Sequence, residues 1–217
     1  MVSGSNSGVS GSNSGEETGA NREENSRTRA SLLALARQQD QKAWTELVDL
    51  YGPLVAHWCR KCGLDRHASA DCMQDVFASV ARNLERFHPT RETGSFRAWL
   101  WTVTSNKIRD RARADARRID PRGGSTALAS LQGVADPISI PEEEPSEDVQ
   151  INELVTRGLN QIRENFAEKS WAIFNRVVMD GISTAEVAKE FGVSPATVRQ
   201  TRSRILRKLR SHLGDCE

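Results

Sequence analysis

The sequence has few cysteines and no long apolar run. Four cysteines in 217 residues are far fewer than a disulfide-stabilised fold needs. No apolar stretch approaches the roughly 20 residues that span a bilayer, and the start, MVSGSNSGVS, has neither the basic nor the apolar part of a signal peptide. We therefore expect a cytoplasmic protein with reduced thiols and no membrane partner.

The sequence also lacks the usual groupings of catalytic residues. It offers no nucleophile with a neighbouring base, no paired-carboxylate site and no glycine-rich phosphate loop. Cys59 and Cys62, with His57 and His67, are of the right types to bind zinc, but two cysteines three apart in a helix supply two ligands and not four. We expect no enzyme, no cofactor and no metal site. A thiol-based metal or redox sensor is the alternative.

The net charge of +1 conceals a strong segregation. Residues 96–118 contain seven Lys or Arg and two Asp, and residues 195–210 contain six Lys or Arg and no acidic residue. These segments carry +5 and +6, which leaves −10 for the rest of the chain. A polyanion that meets the chain at two places is the simplest partner, although either segment alone is also compatible with a solvated helix face.

Hydrophobic periodicity predicts an all-α fold of two small helical domains. Residues 1–26 repeat SGSNSG twice and are too polar to pack, so we expect a flexible tail there. Residues 27–118 predict a four-helix unit, because apolar residues recur at intervals of three and four. Residues 119–147 hold four of the seven prolines and an acidic run, which predicts a flexible acidic linker. Residues 148–213 form the second unit.

The second unit has the pattern of a helix-turn-helix. Ser183 and Glu186 fit a capping box at the start of a short helix. A turn with Gly192 follows, and Ser194 and Pro195 fit the N-cap and first residue of a basic last helix. The second helix of such a motif enters the major groove of DNA. The alternative is a helical hairpin that is basic only for solubility.

The first basic segment combines cations with aromatic side chains. Phe87, Phe96, Trp99 and Trp101 are close in sequence to Arg97, Lys107 and Arg109. Aromatic faces beside cations suit unstacked bases. Phe96 and Trp99 also lie on the apolar stripe of their helix, which favours a place in the core. Phe87 and the loop after it are expected to be freer.

Three blocks of the chain resemble the extracytoplasmic-function (ECF) group of the bacterial RNA polymerase sigma factor family, which keeps only the second and fourth sigma domains. DCMQDVFASVARNLERF (71–87) is similar to its polymerase-binding helix. SFRAWLWTVTSNKIRDRARADARR (95–118) is similar to its promoter-melting and minus-ten segment. GISTAEVAKEFGVSPATVRQTRSRILRKL (181–209) is similar to its minus-thirty-five helix-turn-helix.

The resemblance implies promoter-specific transcription initiation with core RNA polymerase and promoter DNA as partners, and it leaves open whether an anti-sigma factor also binds. It assigns polymerase binding to Asp71, Gln74 and Asp75. It assigns minus-ten recognition and melting to Phe87 and Asn106, with the loop 88–94 capturing a flipped base. We add Arg97, Trp101, Lys107 and Arg109 as minus-ten residues, because this segment combines cations with aromatic rings. It assigns minus-thirty-five recognition to Ala196, Thr197, Arg199, Gln200, Ser203, Arg204 and Arg207. It also implies that the acidic linker runs through the polymerase near the RNA path.

A second function within gene regulation fits the same helix-turn-helix. A one-component regulator would use the N-terminal helices to sense a signal or to dimerise. Such a protein binds a palindrome without polymerase, whereas a sigma factor alone does not.

Overall fold

The computed structural model describes residues 31–88, 94–119 and 140–214, and these ranges contain helices and connecting turns without a β-strand. The expected all-α class is confirmed. The tail 1–26, most of the loop 88–94 and the linker residues 120–139 lie outside the described residues.

Four helices lie within residues 31–88 and 94–119, here called the N-terminal half. They are α1 (Leu32–Arg37), α2 (Gln41–Lys61), α3 (Arg66–Asn83) and α4 (Phe96–Ile119), with a 3-10 turn at Leu84–Arg86 after α3. A side-chain oxygen caps the start of each of the first three helices, at Ser31, Asp40 and Asp65. The apolar pattern of the sequence predicts that α3 begins near Ser69. It begins three residues earlier because Asp65 accepts from the Ala68 amide at 2.8 Å.

Four further helices lie within the described residues 140–214, here called the C-terminal half. They are α5 (Asp148–Ile162), α6 (Glu168–Val178), α7 (Thr184–Phe191) and α8 (Pro195–His212), with a 3-10 turn at Arg163–Asn165 between α5 and α6. The capping box at Ser183 and Glu186 and the N-cap at Ser194 are confirmed. Gly192 ends α7 with φ at +63°, in the left-handed region that glycine adopts without strain.

One apolar core extends through both halves. Its buried side chains run from Leu32 on α1 to Leu213 after α8 and include residues of α2 to α6. Two backbone carbonyls after α8 accept hydrogen bonds from the N-terminal half, Leu213 from the Tyr51 hydroxyl at 2.7 Å and Gly214 from the Phe96 amide at 3.2 Å. The sequence did not predict this shared core. A smaller cluster of Ile173, Val187, Ala188 and Val198 packs the helix-turn-helix.

Candidate nucleic-acid interface

Helix α8 presents a basic face to solvent. The residues predicted for this face are all exposed, namely Ala196, Thr197, Arg199, Gln200, Ser203, Arg204 and Arg207. The opposite face is buried, with Val198 and Ile205 at 0% exposure. The inward and outward positions expected from the helical period are therefore confirmed.

Two grooves flank this basic face. Arg202 and Arg210 line one groove together with Arg199, Ser203 and Arg207. Sequence reasoning placed Arg210 for phosphate contact but left Arg202 out, although its spacing of three from Arg199 places it on a neighbouring row of the same helix. The other groove is lined by Thr197, Gln200 and Arg204, and by Ser170 from α6. No sequence pattern indicated Ser170, because it joins the groove only through tertiary packing.

Contacts with α6 hold Arg204. Its Nη2 donates to Ser170 Oγ at 3.2 Å, and its guanidinium lies 5.6 Å from the centre of the Phe166 ring. A cation over an aromatic face is attracted to the ring, and the planar guanidinium keeps its orientation there. Arg204 is thus presented to the groove in a fixed direction.

Ion pairs fix the helix-turn-helix to the preceding helix. Arg176 on α6 lies 2.8 Å from Asp180 Oδ2 and 3.1 Å from Glu190 Oε1 on α7, and both carboxylates raise the pKa of Arg176. Hydrogen bonds from Ser183 lower the pKa of Glu186 at the start of α7. These contacts set the orientation of α7 against α6, and α8 follows through the short turn.

The predicted minus-ten residues of α4 divide into accessible and buried groups. Asn106 is exposed, while Lys107 and Arg109 are half-buried. Arg109 Nη1 donates to Asn106 Oδ1 at 3.3 Å and to Ser105 Oγ at 3.4 Å. These groups form one polar stretch on α4.

The expectation that Phe87 is freer was wrong. Phe87 is 4% exposed and stacks on Trp99 at 4.9 Å, with Phe96 edge-on at 5.6 Å. Its ring fills the space between the 3-10 turn and α4, and its carbonyl accepts from Arg37 Nη2. The core position expected for Phe96 is confirmed at 0% exposure. The loop residues 89–93 after Phe87 are not among those that the structure describes.

Trp101 is also buried, at 5% exposure. Its ring packs edge-on against Trp58 of α2, with 5.5 Å between the ring centres. Its Nε1 donates to the Glu142 carbonyl at 3.4 Å. One expected DNA-contacting side chain is thus covered by the end of the linker.

Residues 142–147, here called the acidic segment, lie against the N-terminal half. Glu144 Oε2 accepts from Arg97 Nε at 2.9 Å, and Glu147 Oε1 lies 2.5 Å from Lys61 Nζ, which lowers the pKa of Glu147. Ser146 Oγ accepts from Trp58 Nε1 at 2.9 Å. Sequence reasoning found the acidic run but did not foresee that it would contact Arg97 and Trp101.

The residues predicted to bind polymerase lie together on α3. Asp71, Gln74 and Asp75 are exposed, and the neighbouring Cys72 and Val76 point into the core. Asp71 Oδ2 is 3.5 Å from Arg111 Nη2 of α4. This face is therefore polar and acidic, with one carboxylate partly neutralised.

Three of the four cysteines lie in the described residues, and all three are packing residues. Cys59, Cys62 and Cys72 are buried free thiols, and Cys62 follows the last residue of α2 where a place within the helix was expected. A hydrogen bond to Cys72 and burial raise the pKa of the Cys59 thiol. Within the described ranges, no group of three or more His, Cys, Asp or Glu could hold a metal ion.

None of the helices in the described ranges is long and apolar enough to cross a membrane.

Comparisons with known proteins match two regions of the chain to one family. Residues 47–118 match the family model of sigma-70 region 2, and residues 168–209 match that of sigma-70 region 4. The chain is 25% identical over 186 residues to the ECF RNA polymerase sigma factor RpoE of Cereibacter sphaeroides, covering 85% of this chain and 94% of the relative. It is 27% identical over 181 residues to the RNA polymerase sigma factor CarQ of Myxococcus xanthus, covering 83% and 95%. Among solved structures, CnrH in complex with the cytosolic domain of CnrY is 24% identical, with 83% of this chain and 93% of that chain covered and a TM-score of 0.33.

Proposed function

The chain belongs to the ECF group of the sigma-70 family of RNA polymerase sigma factors, and we propose how its surfaces divide the work of promoter-specific initiation. In this proposal α3 docks on core polymerase, α4 contacts the minus-ten strand, and α8 recognises the minus-thirty-five element. Residues 27–118 then act as sigma domain 2 and residues 148–213 as sigma domain 4.

The single observation that carries the proposal is the basic face of α8. It combines exposed arginines at the start of the second helix of a helix-turn-helix with a buried opposite face. Arg pairs bidentately with guanine and Gln with adenine, each with about 1–3 kcal/mol of discrimination. Arg199 and Gln200 supply these two chemistries, while Arg207 and Arg210 are placed for phosphate.

The minus-ten role rests on α4 and its surroundings. Asn106, Lys107 and Arg109 offer polar groups to a single strand, while Arg97 and Trp101 reach it once the acidic segment has moved away. Phe87 supports the base-capturing loop from the core and does not itself stack on a base. The loop 88–94 keeps its proposed role of holding a flipped base.

The chemistry of RNA synthesis stays with the polymerase in this proposal. Sigma factors are generally initiation factors without a catalytic site of their own, and we place this chain beside the polymerase in the cytoplasm, without a cofactor. Melting a ten-base-pair bubble costs on the order of 10 kcal/mol, because each lost stacking step costs about 1.4 kcal/mol. One basic helix and a few aromatic rings cannot supply that free energy alone.

The decisive experiment is run-off transcription with core polymerase on genomic DNA fragments. Added chain should produce discrete transcripts, with permanganate-reactive thymines near the start sites only when polymerase is also present. A protected palindrome without polymerase would favour a one-component regulator instead. Open DNA with the chain alone would contradict the proposal.

The polymerase-binding face has its own test. Asp75→Lys should abolish capture of the chain by immobilised core polymerase, because it reverses a charge at the centre of the α3 face. Asp49→Lys, on the exposed side of α2, makes the same charge change elsewhere and should leave capture intact. Equal capture of both variants would place the docking surface outside α3.

A further inference from the structure

We infer that the acidic segment competes with promoter DNA for the minus-ten surface, so that the free chain keeps this surface closed until core polymerase displaces the segment. The inference rests on the proposed function of α4. It assigns to residues 142–147 a role within the chain, in addition to any contact with the polymerase.

The contacts of the acidic segment reproduce the chemistry of a nucleic-acid strand. The Glu144 carboxylate binds the Arg97 guanidinium, and the Glu147 carboxylate binds the Lys61 ammonium. A phosphate would bind the same cations. The Glu142 carbonyl and the Ser146 hydroxyl accept from the indole N–H groups of Trp101 and Trp58. The segment therefore satisfies the donors that a bound strand would otherwise engage.

The two occupants compete for Arg97 and exclude each other at Trp101. The Glu144 side chain is 13% exposed and lies on Arg97, whose Nε is already engaged at 2.9 Å. Trp101 is 5% exposed, so a base cannot reach its ring while the segment is in place. The Arg97 side chain is still 35% exposed, so the segment competes with DNA for this cation, whereas contact with the Trp101 ring requires the segment to leave.

The closure is weak enough to be reversed. Its outer ion pair is exposed, with the Lys61 and Glu147 side chains at 48% and 61%, and exposed ion pairs contribute little to stability. Movement of residues 142–146 breaks no helical turn, because α5 begins at Asp148, and Glu147 stays with α5 as its N-cap, in a capping box with Gln150. A large partner that binds the surrounding surface can therefore open it.

The closure affects one DNA surface and not the other. The basic face of α8 is exposed in the same structure. The free chain should therefore retain weak binding to duplex DNA through α8, while its binding to a single strand through α4 is suppressed. This asymmetry separates the inference from a general loss of DNA binding.

A pair of charge-matched variants tests the competition. Glu144 and Glu143 are adjacent, but the ion pair to Arg97 involves Glu144, while Glu143 is exposed. Binding of the free full-length variants to a fluorescein-labelled 20-nucleotide single strand is measured by anisotropy. We expect E144Q to bind about 5- to 10-fold more tightly than wild type, E143Q to change affinity less than 2-fold, and Arg97→Ala to remove the gain of E144Q. Equal affinities of E144Q and E143Q would overturn the inference.

A zero-length cross-link follows the segment directly. A carbodiimide activates the Glu147 carboxylate, and the Lys61 amine displaces the urea to form an amide bond that mass spectrometry detects. The cross-link should form in the free chain and lose at least 80% of its yield in the complex with core polymerase. An unchanged yield in that complex would overturn the inference.

A failure of the proposed function gives different results from a failure of this inference. A chain that never binds core polymerase would refute the sigma-factor assignment of its surfaces, yet the free chain would still give the cross-link and the difference between E144Q and E143Q.

Discussion

Arg199 and Arg204 lie on the same face of α8 but have different surroundings. Arg204 is held by Ser170 and lies over the Phe166 ring, whereas Arg199 is exposed and lines the other groove. A side chain without tertiary support loses more conformational freedom on binding, but it adapts more easily to a base edge. Arg199 is therefore the better candidate for base recognition.

Replacement of Arg199 should reduce sequence discrimination. Arg199→Ala is expected to lower the preference for the minus-thirty-five element over scrambled DNA by about 1–3 kcal/mol, because a bidentate pair with guanine is lost. Gel-shift titration of the polymerase complex with the cognate and the scrambled DNA measures this preference. Arg163→Ala, in the 3-10 turn after α5, is the control for lost charge. Equal losses on both DNAs would mean that Arg199 contacts only phosphate.

His212 is a buried neutral histidine where three helices meet. Its Nε2 donates to Gln161 Oε1 of α5 at 2.8 Å, and Gln161 Nε2 donates to the Glu46 carbonyl of α2 at 3.0 Å. Burial, with a smaller effect of Lys208, lowers the pKa of His212 to about 4. A depressed histidine pKa means that the unfolded chain binds the proton more readily.

Acidification from pH 7 to pH 5 should therefore destabilise the fold. The contribution of His212 is fully present above the unfolded pKa of about 6.5 and falls by about 2 kcal/mol on reaching pH 5. Urea unfolding at pH 7 and pH 5 measures the fall in the free energy of unfolding. We expect a smaller fall in His212→Gln. Carboxylates with lowered pKa values, such as Glu147 and Glu186, start from 4.5 and act mainly below this window. An equal pH dependence in His212→Gln would contradict the assignment.

At the scale of the helices, local chemistry predicted most boundaries well. The capping box at Ser183 and the Ser194-Pro195 start placed α7 and α8 almost exactly where they lie, because these side chains bond to amides within the same turn. The start of α3 was misplaced because Asp65 was overlooked as a cap. The outward face of α8 followed from periodicity alone, since one strip of the helix is apolar.

The turn between α7 and α8 depends on Gly192. With φ at +63°, an alanine at this position is strained even though its Cβ would meet no atom within 4 Å. Gly192→Ala should lower the free energy of unfolding by about 1–2 kcal/mol. Gly192→Asn should cost less, because asparagine tolerates the left-handed region. Denaturant titration compares the two, and equal losses would show that φ is not the cause.

At the scale of the whole molecule, the sequence predicted the two units but not how they meet. Some of the contacts between the halves use backbone carbonyls, at Glu142, Leu213 and Gly214, which any residue type supplies. They leave no pattern in the sequence. The burial of Trp101 and Phe87 escaped prediction for the same reason, because it depends on groups that are distant in the chain.

Gly214 packs tightly against the N-terminal half. A Cβ there would lie 2.6 Å from Leu33 Cδ1 and 2.8 Å from Phe96 Cβ, and φ is +66°. Gly214→Ala should lower the free energy of unfolding by about 2–4 kcal/mol, through strain in φ and overpacking.

Gly181→Ala is the matched control for this variant. Its φ of +68° is nearly the same, but a Cβ there meets nothing within 4 Å, so it should cost only about 1–2 kcal/mol. Thermal unfolding of the two variants gives the difference in their loss of stability, which is the contribution of the steric clash at Gly214. Equal losses would mean that the halves are not closely packed in solution.

The paired indoles of Trp58 and Trp101 give the protein a built-in optical signal. Both N–H groups are bonded to residues of the acidic segment, so the departure of this segment would expose them to water. Tryptophan emission should then shift to longer wavelength. The kinetics of opening can therefore be followed by stopped-flow fluorescence at the moment of mixing with polymerase, without attaching a dye.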